Sequence, residues 1–309
     1  MVQKLPLARG GIDAACALRS DLDLAALCTT ARGVAVDLRR QVLLSKQQPP
    51  TLGGLSCPEI AREFPQLSQA VAAGRIFFLG KVDGRVVLGA YFADLDKLPG
   101  RAGVPIREVA HKLSPSDSSL ASAALALATW HSRAGYCARC GSSTYAQAAG
   151  WERRCTGCQC VEYPRTDPSI ICAVTDPQER LLIAHNVAWA PRRISVLAGY
   201  VEAGEAAEET VHREIAEEVG IEVTCVRYLY SQAWPFPRSL MLAFTAETTA
   251  QDSDLVLQED EIGWAKFVSR TDFISLAMNR KIILPSQATI AASMIERWLG
   301  EPLPRVASC

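Results

Sequence analysis

The sequence has no excess of either charge. Its 309 residues hold 32 Lys and Arg against 33 Asp and Glu, a formal net charge of −1. No global basic field draws in nucleic acid. A protein that coats DNA is therefore excluded, while local basic patches stay open. Long apolar runs are missing as well. No stretch approaches the roughly 18 residues a membrane span needs, and the longest, such as Ile170 to Val174, are strand-sized. The opening MVQKLPLARGGIDAA contains no apolar secretory core, and the final Val-Ala-Ser-Cys is not a peroxisomal tripeptide. The expectation is a cytoplasmic protein with no membrane or DNA partner. Internal repeats and low-complexity tracts are absent. The 20 Gly and 17 Pro are scattered through a chain that is 49% hydrophobic, which excludes collagen, coiled-coil and disordered classes. Only four histidines are present: His111, His131, His185 and His212.

Cysteine is plentiful by contrast, with 11 residues, an odd number. Seven are dispersed, as expected of free thiols in a reducing compartment. Four are paired by spacing. Cys137-Ala-Arg-Cys140 and Cys155-Thr-Gly-Cys158 form two CxxC knuckles with 14 residues between Cys140 and Cys155. Two knuckles aim four thiolates at one ion, the pattern of a closed tetrahedral Cys₄ zinc site that leaves no position for catalysis. One structural zinc per subunit is expected. Cys160 breaks the knuckle spacing and reads as a spare thiol. Because zinc ribbons also occur in nucleic-acid binders, Arg133, Arg139, Arg153, Arg154 and Arg165 are weighed as an RNA surface against an ordinary solvated one.

The length allows one large or two moderate domains. Apolar runs on either side of Asp83-Gly84 read as a β-hairpin. A helix is expected over about 118–131, with Ser116 or Asp117 as its cap. Gln47 to Gly54 reads as a loop. Strands are expected at 169–174 and 181–185. Residues 206–219 favour helix, and Gly220 suits its stop. Val211, Ile215 and Val219 stack on one stripe of that helix, and Glu214, Glu217 and Glu218 gather on a neighbouring arc. Like charges at these spacings repel. A lone acidic run of this kind is ordinarily a solvated face, whereas hard oxygen ligands beside a buried stripe suit Mg²⁺ or Mn²⁺ shared with phosphate.

The flanks decide between those alternatives. The stretch from Gly199 to Ile221 reads G-x5-E-x7-R-E-U-x-E-E-x-G-U, with U aliphatic and every fixed position filled. It resembles the Nudix box of the Nudix hydrolases. Ser231-Gln-Ala-Trp-Pro-Phe-Pro-Arg-Ser239 further resembles the SQPWPFPxS signature of the NADH pyrophosphatases, with Ala233 where that family has Pro. The resemblance extends to Tyr163-Pro-Arg-Thr-Asp-Pro168 and to the C-terminal segment from Leu284 to Trp298. The N-terminal third matches only loosely.

The resemblance implies an α/β fold, a Nudix α/β/α sandwich with a mixed sheet, preceded by a Cys₄ zinc ribbon and an N-terminal α+β domain. The expected boundaries are 1–131, 132–163 (ribbon), 164–300 (Nudix) and a 301–309 tail. It implies divalent-metal-dependent hydrolysis of the pyrophosphate of NAD(H) to NMN(H) and AMP, with removal of NAD caps from RNA. The alternatives are another nucleoside diphosphate derivative, such as ADP-ribose or a dinucleoside polyphosphate, and a non-catalytic zinc-ribbon RNA-binding protein. By resemblance Glu214, Glu217 and Glu218 hold Mg²⁺ or Mn²⁺, and Arg213 with Glu205 holds the loop. Glu261 completes the metal site, although Glu259 and Asp260 leave that register open. Tyr163, Tyr200, Gln232, Trp234, Phe236, Ser239 and Ala291 contact the dinucleotide. A homodimer is implied too. His212 is expected to lie off the carboxylate arc, and His131 to find no place among four thiolates.

Overall fold

The computed structural model describes residues 5–8, 10–45 and 49–304. Its contacts divide the chain into two compact units. One comprises Pro6–Thr166 with Ala233–Arg238, and the other comprises Leu5, Asp167–Gln232 and the chain from Ser239 on.

In the first unit a mixed sheet is built on β1 (Arg32–Asp37), β2 (Ile76–Val82) and β3 (Arg85–Phe92), in the order β2-β3-β1, and short strands extend it. β2 and β3 form the expected hairpin, with Val82 opposite Arg85. Asp83 and Gly84 both have positive φ, 50° and 75°, as a tight two-residue turn of this hand requires. α1 spans Pro115–His131 and starts earlier than the sequence suggested. Ser114 caps it by accepting from the Asp117 N–H, and Pro115 fills the first helical position, where its missing N–H costs nothing. Asp117 is not the cap. It turns inward, accepting from Arg32 Nη2 at 2.8 Å and from the Leu52 N–H at 3.0 Å. The expected loop at 47–54 falls partly outside the described residues, since 46–48 are not described. Of the rest, Leu52 bridges to Leu44, and Gly54–Leu55 pairs with β1.

The ribbon strands β4 (Thr144–Gln147), β5 (Glu152–Cys155) and β6 (Val161–Glu162) form a three-stranded sheet in the same unit. Trp151 Nε1 donates to the Phe78 carbonyl at 2.7 Å. Arg153, weighed above as a surface cation, is instead buried. It donates to Thr144 Oγ1, to the carbonyls of Thr144 and Ala73, and to His131 Nδ1. His131 in turn donates from Nε2 to the Gly150 carbonyl at 2.9 Å. This fixes a neutral imidazole, and burial, reinforced by the Arg153 guanidinium, pushes its pKa down to about 4.

The second unit is a three-layer sandwich. Its sheet runs β10 (Thr224–Trp234), β11 (Ser239–Glu247), β7 (Asp167–Thr175), β8 (Leu181–Asn186), β12 (Ile262–Val268), with β9 (Leu197–Tyr200) antiparallel to β7. β7 and β11 are parallel. The sheet's two-residue period sorts the core into two layers. Ile170, Cys172 and Val174 face one way, against Val211, Ile215 and Val219 of α2 (Ala207–Val219). Ile171 and Ala173 face the other, against α3 (Arg270–Met278) and α4 (Ile290–Leu299). All three α2 stripe residues are fully buried, as their spacing implied.

Replacing Arg153 by Met is expected to destabilise the first unit by about 2–4 kcal/mol, because it strands the four acceptors that the guanidinium serves. Chemical denaturation followed by tryptophan fluorescence would read this, and an unchanged midpoint would contradict the buried network.

Candidate active site and metal centres

The second unit places α2 directly after the turn that leaves β9. Arg213, one residue before the first helix carboxylate, organises that turn. Its Nε and Nη2 grip Glu205 at 2.8 and 2.9 Å, a bidentate ion pair. Its Nη1 reaches Glu214 Oε1 at 3.0 Å and Glu217 Oε2 at 2.9 Å, and Nη2 also donates to the Tyr200 carbonyl. The Glu202 N–H and the Thr210 hydroxyl complete the shell of Glu205. The guanidinium first, then the Glu202 N–H, hold the Glu205 carboxyl down to about 2.

Gly199 is required by close approach rather than by backbone angle. A Cβ there would lie 1.8 Å from Glu214 Cδ and 2.1 Å from both its oxygens. Any side chain at this position would displace the Glu214 carboxylate. Gly220 ends α2 in a left-handed conformation, φ 72°, as its sequence position implied.

Glu218 differs from its neighbours. It is 3% exposed, and among the described residues no donor reaches its Oε2. Burial, together with the charges of Glu261, Glu214 and Glu217, pushes its pKa up to about 8. Burial raises Glu214 too, against the pull of Arg213. A buried carboxylate with no donor, among other carboxylates, is costly unless a cation serves it. The donor set is therefore hard oxygen, suited to Mg²⁺ or Mn²⁺. Of the three acidic residues at 259–261, Glu261 is the one whose charge bears on both Glu218 and Glu214, whereas Glu259 and Asp260 are exposed. Asn186, which the sequence did not single out, lies 3.5 Å from Glu261 Oε1 through its side-chain amide. No local pattern marks it, because it becomes a neighbour only through the pairing of β8 with β12. His212 is exposed.

Several of the expected substrate contacts lie together in this unit. Tyr200, 54% exposed, ends β9, and its hydroxyl is 3.2 Å from Ser239 Oγ at the start of β11. Gln232 is buried and donates to the Ala288 carbonyl at 3.0 Å, just before the helix that carries buried Ala291. The other three belong to the first unit. Tyr163 is 60% exposed. Trp234 and Phe236 pack edge to face at 4.6 Å, and Arg107 stands over both rings, 4.2 Å from the Phe236 centroid. Arg40 lies 5.6 Å over the same Phe236 ring. Neither arginine was legible in the sequence, being more than a hundred residues from the motif.

In the ribbon, the sulfurs of Cys137, Cys140, Cys155 and Cys158 lie within 4.8 Å of one another. The Arg139 N–H points at Cys137 Sγ, and the Gly157 and Cys158 N–H groups point at Cys155 Sγ. Four thiols with such donors fit a tetrahedral zinc ion, in which sulfurs about 3.8 Å apart surround metal–sulfur bonds of about 2.3 Å. His131 is engaged elsewhere.

The NUDIX domain model matches residues 165–287. The NAD-capped RNA hydrolase NudC of Mycobacterium tuberculosis is 38% identical over 308 residues, covering 94% of both chains. The protein of the same name from Stutzerimonas stutzeri is 36% identical over 230 residues, covering 74% of this chain and 78% of its own. That from Pseudomonas aeruginosa is 37% identical over 213 residues, covering 68% and 73%. The chain belongs to the NudC family of Nudix hydrolases. The family match and the α/β/α sandwich carry the fold expectation through. Membership also accounts for a divalent-metal requirement, and the four-cysteine cluster could take zinc. Among the described residues no helix is long and apolar enough to cross a membrane.

Two outcomes follow for this NudC-family site. Gly199→Ala is expected to abolish divalent-ion binding by α2 while leaving the zinc content unchanged, which isothermal titration and metal analysis would separate. The second concerns pH. The folded protein raises the Glu218 pKa from 4.5 to about 8. Native protein therefore holds more protons than unfolded chain across that window, and stability falls as pH rises through it. Without divalent ions, Glu218→Gln should gain melting temperature over the wild type as pH climbs from about 4.5 to about 8. Saturating Mn²⁺ should shrink the gap. A gap independent of pH would contradict the burial of an ionisable Glu218.

Proposed function

We propose that this chain hydrolyses the pyrophosphate bond of NAD(H), releasing NMN(H) and AMP, and that it removes NAD caps from RNA by the same cleavage. The observation that carries the reading is the donor-less buried Oε2 of Glu218, beside carboxylates that Arg213 holds in place. Near full-length similarity to NAD-capped RNA hydrolases supports the substrate.

Glu214, Glu217, Glu218 and Glu261 would hold Mg²⁺ or Mn²⁺. Bound there, a divalent ion neutralises the phosphoanhydride and acidifies water. Glu218 Oε2 orients the attacking water and accepts its proton. Arg213 does not touch the substrate; it fixes Glu214 and Glu217 and, through Glu205, the turn that carries Tyr200. The Tyr200 ring offers a face for stacking on a base, and its hydroxyl joins Ser239 in polar contact. Gln232 and Ala291 are assigned to substrate binding by the resemblance. Tyr163, Trp234 and Phe236 are assigned to substrate binding on the motif alone. A Cys₄ zinc in the ribbon, a homodimer and a cytoplasmic location complete the reading.

The test is incubation with NADH, NAD⁺, NAD-capped RNA, ADP-ribose and a dinucleoside polyphosphate, each with Mg²⁺ or Mn²⁺. NADH is expected to yield NMNH and AMP, and capped RNA to yield free NMN and 5′-monophosphate RNA. Glu218→Gln is expected to lower turnover by about a hundredfold or more, in line with removal of an acid–base group, with fold and zinc intact. Turnover confined to ADP-ribose or to the polyphosphate, or retained by Glu218→Gln, would overturn the reading.

A further inference from the structure

The two-knuckle pattern leaves Cys160 without a place, yet the fold brings it among the ligand sulfurs. Its Sγ is 3.3 Å from Cys137 Sγ and 3.3 Å from Cys158 Sγ. Cys158 itself is 3.7 Å from Cys137. The fifth thiol thus stands as near two of the four as they stand to each other. The backbone enforces this. Gln159, the single residue between Cys158 and Cys160, has φ 58°, a left-handed turn that folds the chain back. The Cys160 carbonyl is tied to the Cys155 N–H at 3.0 Å, and the Gln159 carbonyl accepts from Arg154. Exposure is graded across the cluster: Cys137 and Cys155 are buried, Cys160 is half-buried, and Cys140 and Cys158 are exposed.

We propose that the Cys158–Cys160 pair is a peroxide-modification site, with Cys160 as the resolving thiol that makes the zinc releasable. Of the two exposed cysteines of the cluster, Cys140 and Cys158, Cys158 is the one that stands 3.3 Å from Cys160, and it is the sulfur that reacts with peroxide. Its thiolate attacks one peroxide oxygen. The O–O bond breaks, a sulfenic acid forms on Cys158 and hydroxide departs. Cys160 then attacks the Cys158 sulfur, the S–S bond forms, and the sulfenic oxygen leaves as water. In sum, two thiols and hydrogen peroxide give one disulfide and two waters, and the peroxide takes two electrons from the sulfurs. The sulfurs must close from 3.3 Å to the disulfide bond length of about 2.05 Å. The ion is left with three thiolates, a set short of the closed tetrahedron. Glu162, grouped with Cys137 and Cys160 within 4.8 Å, offers a carboxylate there but no fourth sulfur.

The zinc part rests on the Cys₄ reading, while the disulfide part stands apart from it. The test therefore uses full-length protein in two arms. In the first, zinc content is measured before peroxide, and release by hydrogen peroxide is then followed with a chromogenic chelator. The wild type is expected to lose its zinc, and Cys160→Ser, which keeps all four knuckle thiols, to retain most of it over the same time. Equal release rates would overturn the proposal. In the second arm, oxidised wild type is alkylated, digested and mapped by mass spectrometry. A Cys158–Cys160 disulfide, about 2 Da lighter than the dithiol peptide, is expected to accompany each zinc lost and to revert with dithiothreitol. A disulfide joining Cys140 to Cys155, also 3.3 Å apart, or one lacking Cys160, would overturn it. The second arm reads Cys160 whether or not zinc is found beforehand, so failure of the metal reading and failure of the resolving thiol are distinguishable.

Discussion

One guanidinium sets the terms for the catalytic helix. Three glutamates on adjoining turns of α2 repel one another, and a helix carrying them would lose stability unless something answered their charge. Arg213 answers for Glu214 and Glu217 and locks Glu205 in a bidentate pair. It cannot also serve Glu218, which lies on the buried side of the helix. The balance is deliberately incomplete in a physical sense. Two carboxylates are held in fixed positions, and a third is left in the interior with an unserved oxygen. The unmet demand is for positive charge, which a divalent ion held by these carboxylates would supply.

Precision at this centre comes from contacts that forbid side chains as much as from those that use them. Gly199 leaves open the space that the Glu214 carboxylate fills. The same strand end carries Tyr200, whose carbonyl accepts from Arg213 and whose hydroxyl meets Ser239. A ring proposed to hold a base and a helix proposed to hold metal are thus joined through one residue. An error in either would be transmitted to the other over a few ångströms.

The ribbon shows a different use of buried polarity. Arg153 is surrounded by carbonyls, a hydroxyl and a neutral imidazole rather than by carboxylates. Its charge is spread over hydrogen bonds, and these tie the three-stranded ribbon to Ala73 and to His131 of α1 in its own unit. The thiol cluster hangs from this anchored frame with two of its sulfurs facing solvent. That combination keeps the geometry of the cluster while leaving it open to reagents.

Much of this was legible from residue order because it is local. The knuckle spacings, the α2 stripe, the Asp-Gly hairpin and the Nudix box each lie within a few turns or one loop, where periodicity and steric rules act directly. Ser116 or Asp117 reads as the cap of α1, because nothing local announces the partners that turn Asp117 inward, Arg32 and the Leu52 N–H, 85 and 65 residues away. Arg153 was weighed as a surface cation because nothing nearby in the chain announces the Ala73 carbonyl or His131. Arg107 above the Trp234 and Phe236 rings and the approach of Cys160 to Cys137 were equally beyond reach. The chain alone therefore determined the kinds of chemistry present, thiolate and carboxylate at set intervals. Tertiary structure decided which of those groups is satisfied, which is buried and which is left wanting a partner, because desolvation and long-range pairing depend on distances that residue order does not contain.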